Sequence, residues 1–371
     1  MRAMIGLALL GLVAAPALAR PAVPGSLVSA VPQAGAPRGS SGYLIRYAST
    51  DTAGRPIVVT GSLVVPEGRA PPRGRDVVVW AHGTTGVAEA CALSTGPQRF
   101  ANVAGLDALL ARGLVVVIPD YQGLGNPGPH PYLVGTATAQ VVIDAARAAV
   151  RQGGRQRGRF AVWGESQGGH AALWAAQAAA RQAPELTLVG VAAAAPPTDL
   201  TANLTGGSNA VVRAMLTAYA GQSWAQVYGA PLRAFTGPVG ADLIRRLATN
   251  CISLDGFKLR TKVGLVRLGG MLRGVDLGKV SPWDRLLREN SVPATGFPVP
   301  LLVAQGSKDE IVAPAVTRDF VLRACRAGAT LRYVTDAGDH VTAGKRSAGV
   351  AVDWLAARFA GAPARNDCVR L

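Results

Sequence analysis

The sequence predicts an α/β fold with a mostly parallel central sheet and helices on both faces, and three observations carry that prediction. Short apolar runs, several of them rich in Val and Ile, alternate with Ala-rich segments of helical period. One such run, Phe160-Ala-Val-Trp163, passes directly into Gly164-Glu-Ser166-Gln-Gly168-Gly-His170 and then into an Ala-rich helix. At 371 residues, 49% of them hydrophobic, the chain can bury one large core and fits one domain with an insertion better than two independent domains.

Taken in order, the chain opens with Arg2, an apolar run over 4–17 and Ala17-Leu18-Ala19 before Arg20, a secretory signal with its cleavage site after Ala19. That run is too short and too early for a good spanning helix, and no cysteine follows the cut to carry a lipid anchor. Residues 20–40, rich in Pro, Gly, Ala and Ser, are expected to form a loosely ordered leader into a domain over 41–371. Strands are expected at 43–48, 57–65, 77–82, 114–119, 160–163, 186–194, 299–305 and 330–335, and helices at 137–151, 167–181, 315–326 and 349–359. A hairpin around 51–55 opens the sheet antiparallel. Residues 197–291 lack convincing strands and read as short amphipathic helices broken by Gly and Pro, an inserted helical lid or cap. There are no internal repeats.

Strand, Gly164-x-Ser166-x-Gly168 turn and helix, in that order, make the nucleophile elbow of an α/β-hydrolase. So abrupt a turn strains its central residue, and small neighbours relieve the clash and expose the serine oxygen. Ser166 also sits at a helix N-terminus, where unpaired N–H groups and the dipole favour a developing oxyanion. A serine needs a base, and of the four histidines only His340 follows Ser166 at a distance. In this fold the acid lies between the two, at the end of a later strand. The strand over 299–305 runs into Gly306-Ser-Lys-Asp309, which makes Asp309 the expected acid ahead of Glu310, Asp336 and Asp339. Asp339 ranks lower because a side chain adjacent in sequence to His340 would usually point away from the ring. The loop His82-Gly83-Thr84-Thr85-Gly86 follows the third strand and is expected to supply an oxyanion donor, Thr84 N–H ahead of Gly83, beside the N–H of Gln167. His82 is assigned to bracing that loop and His170 to packing behind the elbow.

Five segments, Ser49-Thr-Asp-Thr-Ala-Gly-Arg-Pro56, Ala81-His-Gly-Thr84, Pro119-Asp-Tyr-Gln-Gly-Leu-Gly125, Gly164-Glu-Ser-Gln-Gly-Gly169 and Ala195-Pro-Pro-Thr-Asp-Leu200, together resemble the secretory lipase family, which includes fungal lipases of the Candida antarctica lipase A type. The resemblance covers most of the chain after about residue 40. It implies hydrolysis of carboxylic esters, acylglycerols included, without a cofactor, in an α/β-hydrolase with a helical lid and a triad of Ser166, Asp309 and His340. The fungal members place a different residue where this chain has His82-Gly83-Thr84-Thr85.

The expected function is therefore a secreted serine carboxylester hydrolase that acts on small-molecule or lipid esters and touches lipid interfaces peripherally. A non-lipolytic esterase or acyltransferase would use the same residues, and a binding module on a dead hydrolase fold is the alternative from another class. Met215, Leu216, Trp224, Phe235 and Met271 are candidate acyl-lining residues of the cap, each open to the plainer role of core packing. Four cysteines in an exported chain suggest two disulfides with three possible pairings. Cys91–Cys251, tying the oxyanion loop to the cap, and Cys325–Cys368, stapling the tail beside the His340 loop, are preferred. No Cys or His spacing resembles a metal site. The net charge of +16, or +15 after loss of the signal and its Arg2, suits attraction to anionic membranes or acidic substrates, although scattered arginine in an Ala-, Gly- and Pro-rich chain also arises from composition alone. Nucleic acid is not expected as a partner, since there is no binding motif or basic-aromatic tract.

Overall fold

The computed structural model describes residues 23–153, 158–205, 209–252 and 258–371, so the expected signal segment and the first residues of the leader lie outside the described residues. Among the described residues nine strands form one sheet: β1 (Leu27–Pro32), β2 (Ser40–Thr50), β3 (Pro56–Pro66), β4 (Val77–Ala81), β5 (Val115–Pro119), β6 (Gly158–Glu165), β7 (Leu186–Ala194), β8 (Leu301–Gly306) and β9 (Leu331–Asp336). Their spatial order is β1-β2-β3-β5-β4-β6-β7-β8-β9. The first three strands and the β3–β5 pair are antiparallel, and every pair from β5 to β9 is parallel.

Alternation along each strand assigns its side chains to two layers. On β4, Val77 and Val79 join one core cluster while Val78 and Trp80 join the other, and on β6 Phe160 and Val162 oppose Ala161 and Trp163 in the same way. The first layer is closed by α2 (Gly135–Gln152), α3 (Gln167–Gln182) and α9 (Pro314–Arg326), the second by α1 (Leu106–Ala111) and α10 (Ala343–Phe359). Strands buried on both faces read as unbroken apolar runs, as β4 and β5 do.

One expectation is corrected here. The leader expected to be loosely ordered over 20–40 contains β1, which pairs with β2 from Leu27 opposite Tyr47 to Pro32 opposite Tyr43. Its Gly- and Pro-rich flanks obscure a strand that puts Leu27 and Ala30 against the core and leaves Val28 and Val31 more than half exposed, as an edge permits.

Between β7 and β8 the described residues form helices only: α4 (Leu200–Thr205), α5 (Ala210–Tyr228), α6 (Arg233–Leu247), α7 (Leu259–Met271) and α8 (Trp283–Asn290), with a 3-10 turn at Leu277–Lys279. They surround a third apolar cluster that includes Trp224, Phe235, Trp283 and Leu287. We refer to this unit as the cap.

The sheet order positions the site. After β4 the chain steps to β5 on one side, and β6 lies on the other, so the order reverses at β4 and opens a crevice beyond the carboxyl ends of β4 and β6. Thr84 follows β4 and Ser166 follows β6, and both therefore rise at the same crevice.

Candidate active site

Ser166 turns the chain from β6 into α3 with φ 53° and ψ −121°, a positive φ that non-glycine residues rarely adopt. The turn is held by Ser166 N–H donating to Ala194 O at 2.9 Å and by His170 N–H donating to Ser166 O at 3.0 Å. The two motif glycines have a measurable reason to be glycine. A Cβ on Gly164 would lie 2.3 Å from Gly168 O, and one on Gly168 would lie 1.8 Å from Ala81 O. The first turn of α3 thus presses on the end of β4, which brings Gln167 beside the loop that carries Thr84. As the first residue of α3, Gln167 has an N–H with no intrahelical acceptor.

His340 lies in the loop between β9 and α10 and makes two hydrogen bonds, Nε2 to Ser166 Oγ at 2.8 Å and Nδ1 to Asp309 Oδ2 at 2.8 Å. With Nδ1 protonated toward the carboxylate, Nε2 is the acceptor for the serine proton. Asp309 is buried at the end of β8, and its remaining lone pairs are occupied. Oδ1 accepts from Ile311 N–H at 2.9 Å and Val312 N–H at 2.8 Å, and Oδ2 accepts also from Gln305 Nε2 at 2.9 Å. Four donors on one buried carboxylate fix its position. The competing acids are engaged elsewhere. Asp339 accepts from Thr342 N–H and Oγ at the start of α10, bonds that hold its carboxyl below the usual range, and Asp336 pairs with Arg346 at 3.0 Å. Glu310 is exposed.

Two residues without an assigned task in the sequence stand behind the oxyanion candidates. Tyr132 Oη lies 2.9 Å from Thr84 Oγ1, and His130 Nε2 accepts from Gln167 Nε2 at 3.0 Å. Burial drives the His130 pKa down to about 3, so the ring is neutral, and its Nδ1–H donates to Gln122 O at 2.8 Å. The same short segment is anchored in the cap: Tyr132 N–H donates to Ser223 Oγ at 2.8 Å, Ser223 Oγ–H donates to His130 O at 2.7 Å, and Trp224 Nε1–H donates to Tyr132 O at 2.9 Å. His130 and Tyr132 were invisible as site residues because their partners are far away in sequence; flanking prolines and a Tyr gave only a loop signal.

A third overlooked residue is Glu165. Its carboxylate lies so close over Gly344, in the first turn of α10, that a Cβ there would meet Glu165 Oε2 at 1.6 Å. Burial raises its pKa to about 7 against the opposing pull of His340 and Lys345. It occupies the variable position just before the serine, so the elbow pattern passes over it.

The remaining histidines are neutral and structural. His82 packs against Tyr121 with the rings tilted at 49° and centroids 4.7 Å apart, and its Nδ1–H donates to Gly83 O at 2.7 Å, while burial lowers its pKa. His170 is buried behind the elbow with Nε2 2.7 Å from Asn290 O, and burial takes its pKa down to about 4. Among the described residues no group of three or more His, Cys, Asp or Glu is placed to hold a metal ion.

The candidate acyl-lining residues divide. Trp224 and Phe235 lie within the cap, where both pack on Trp283, stacked at 6.0 Å and edge-on at 4.9 Å respectively, and both line a small apolar cavity with Leu204, Leu277 and Leu287. Both rings are buried members of the cap's apolar cluster. Met215, Leu216 and Met271 are half-buried at the margin of the same cluster. Both disulfides pair as preferred, Cys91 with Cys251 and Cys325 with Cys368.

Comparison with known proteins bears on the family and the fold. The family model described as secretory lipase matches residues 94–367. A Mycobacterium tuberculosis protein described as a "probable inactive lipase" is 26% identical over 87% of this chain and 75% of its own length. Lipase 10 of Candida albicans is 26% identical over 71% of this chain and 59% of its own length. Among solved structures, Candida antarctica lipase A in its closed state superposes with a TM-score of 0.73 at 18% identity, covering 93% of this chain and 84% of that one.

Proposed function

The chain belongs to the secretory lipase family and is a carboxylic ester hydrolase, and on that premise we propose that it is an exported serine lipase acting on acylglycerols or related lipid esters through an acyl-enzyme. The observation that carries the proposal is the unbroken hydrogen-bond chain from Ser166 through His340 to Asp309. That chain also speaks against reading this protein as an inactive fold.

In the proposed reaction His340 Nε2 takes the Ser166 proton as Oγ attacks the ester carbonyl. Asp309 keeps Nδ1 protonated and stabilises the imidazolium. The tetrahedral oxyanion is received by the N–H groups of Gln167 and Thr84, the former reinforced by the dipole of the 16-residue α3. Collapse breaks the ester C–O bond, and His340 returns the proton to the departing alcohol. Water then gives a proton to His340 and adds to the acyl carbonyl, and as the bond to Ser166 Oγ breaks His340 returns that proton to Oγ, which releases the acid and free Ser166. The expected signal segment and two disulfides support export.

The test is hydrolysis of a p-nitrophenyl ester series from acetate to palmitate by the mature protein, with Ser166→Ala as control. Turnover of long chains that falls about 10⁶-fold in the variant is the expected result. Activity confined to short chains would make the protein a non-lipolytic esterase, and activity that survives the substitution would remove Ser166 from its role.

A further inference from the structure

The outward face of α7 departs from what a water-facing helix should present. At 3.6 residues per turn, Leu259, Val263 and Val266 project within about 60° of one another. They are 78%, 60% and 63% exposed, more than any other large apolar residue of the cap among the described residues. Thr261, Leu265 and Leu268 occupy the opposite side and are buried in the packing against α5 and α6. Lys262 flanks the exposed stripe on one side and Arg260 and Arg267 flank it on the other, all exposed. Residues 258–273 contain no Asp or Glu. Among the described residues none of these three cations makes an ion pair, whereas elsewhere on the cap Arg245 is paired with Asp242 and Lys279 with Asp276.

An apolar stripe bordered by long cationic side chains matches the boundary between headgroups and acyl chains. Branched apolar side chains enter the boundary, and the methylene stems of Lys and Arg let their charges reach outward to phosphate. Charge selects the occupant. Two copies of this face brought together would oppose like charges, and a neutral oil would leave the cations unanswered, but an anionic lipid surface answers both parts.

We propose that α7 is the face through which the protein docks on an anionic lipid surface, with Leu259, Val263 and Val266 inserted and Arg260, Lys262 and Arg267 against the headgroup phosphates. This goes beyond ester hydrolysis and does not require Ser166 to react.

The experiment is co-sedimentation of the mature protein with phosphatidylcholine vesicles made with and without phosphatidylglycerol. Binding should require the anionic lipid and weaken with salt. The double substitution V263D/V266D should lower partitioning roughly tenfold or more, and K262E/R267E should do so at least as strongly. Both should hydrolyse soluble p-nitrophenyl acetate at the unsubstituted rate, which establishes that they fold. Absence of vesicle binding, or equal binding by the variants, would overturn the proposal. A concentration-dependent dimer abolished by V263D/V266D would assign the stripe to a second copy instead. Ser166→Ala should bind vesicles normally, so a failure of the hydrolytic proposal would leave this one standing, and the reverse.

Discussion

Tyr132 and Thr84 share a hydroxyl–hydroxyl hydrogen bond of 2.9 Å, and through it the loop after β4 is joined to the cap. Tyr132 is itself held by Ser223 and Trp224 of α5, and its neighbour His130 holds the side chain of Gln167. One short segment thus braces both candidate oxyanion residues from behind and has its own footing in the cap. Tyr132 is fully enclosed and burial pushes its phenol up to about 12, so it acts as a neutral hydrogen-bonding strut across the working range.

Tyr132→Phe removes that strut at the cost of one hydroxyl, leaving the ring and its contact with Tyr219 in place. Complete loss of an oxyanion donor costs on the order of 10²–10³ in turnover, and a donor merely loosened should cost less, roughly tenfold, in kcat with KM almost unchanged. Steady-state kinetics on a soluble ester decide this. A rise in KM alone would mean that Tyr132 contacts substrate instead of bracing Thr84.

The Cys91–Cys251 bridge makes a second junction at the same loop. It packs on Gly86, where a Cβ would lie 2.5 Å from Cys91 Sγ, and next to it Ile252 N–H donates to Thr85 O at 2.8 Å. On the chain-entropy model its separation of 160 residues gives up to about 5 kcal/mol, and the 43 residues of Cys325–Cys368 give about 4. Both double Cys→Ala variants should melt lower. Only the Cys91/Cys251 variant should also lose turnover at temperatures where it remains folded, because it alone loosens the loop proposed to hold the oxyanion. Equal specific activity in the two folded variants would restrict the bridge to stability.

What could be read from the sequence follows the range of each interaction. Ser166 was legible because its strain, its glycines and its helix are all local, and Asp309 and His340 because chain order restricts them to strand ends. Most of the sheet was legible from apolar runs, yet β1 was hidden by its Pro- and Gly-rich flanks. Helix α10 begins at Ala343, earlier than its apolar period suggests, because its first turn is made of Ala, Gly, Lys and Arg, which carry no apolar stripe to mark it. The part played by Trp224 and Phe235 was not legible, because a buried aromatic in a helical insertion has the same sequence signature whether it faces a ligand or another helix. His130, Tyr132 and Glu165 acquire their roles only from residues brought near by folding.

Glu165 offers the most direct pH signature. Its carboxyl is held between Gly344 and the loop at Gly83, with His340 and Lys345 as the charged groups facing it, and burial lifts its pKa to about 7. Below that value it is neutral and contributes little to the His340 imidazolium of the proposed reaction; above it, a carboxylate stands beside that positive charge and favours it. Turnover should therefore rise as Glu165 ionises, and Glu165→Gln should match the unsubstituted enzyme at pH 5–6 but fall roughly threefold to tenfold behind it above pH 8. Stability should move the other way. Between its ordinary value of 4.5 and about 7 the unfolded chain releases the proton while the folded chain retains it, so folding stability declines with pH through that window and then levels off. The Gln variant lacks this decline and should gain relative stability at pH 8 in denaturant titrations. Parallel rate profiles for the two proteins would show that Glu165 does not act on His340, and parallel stability profiles would show that it titrates in the ordinary carboxylate range.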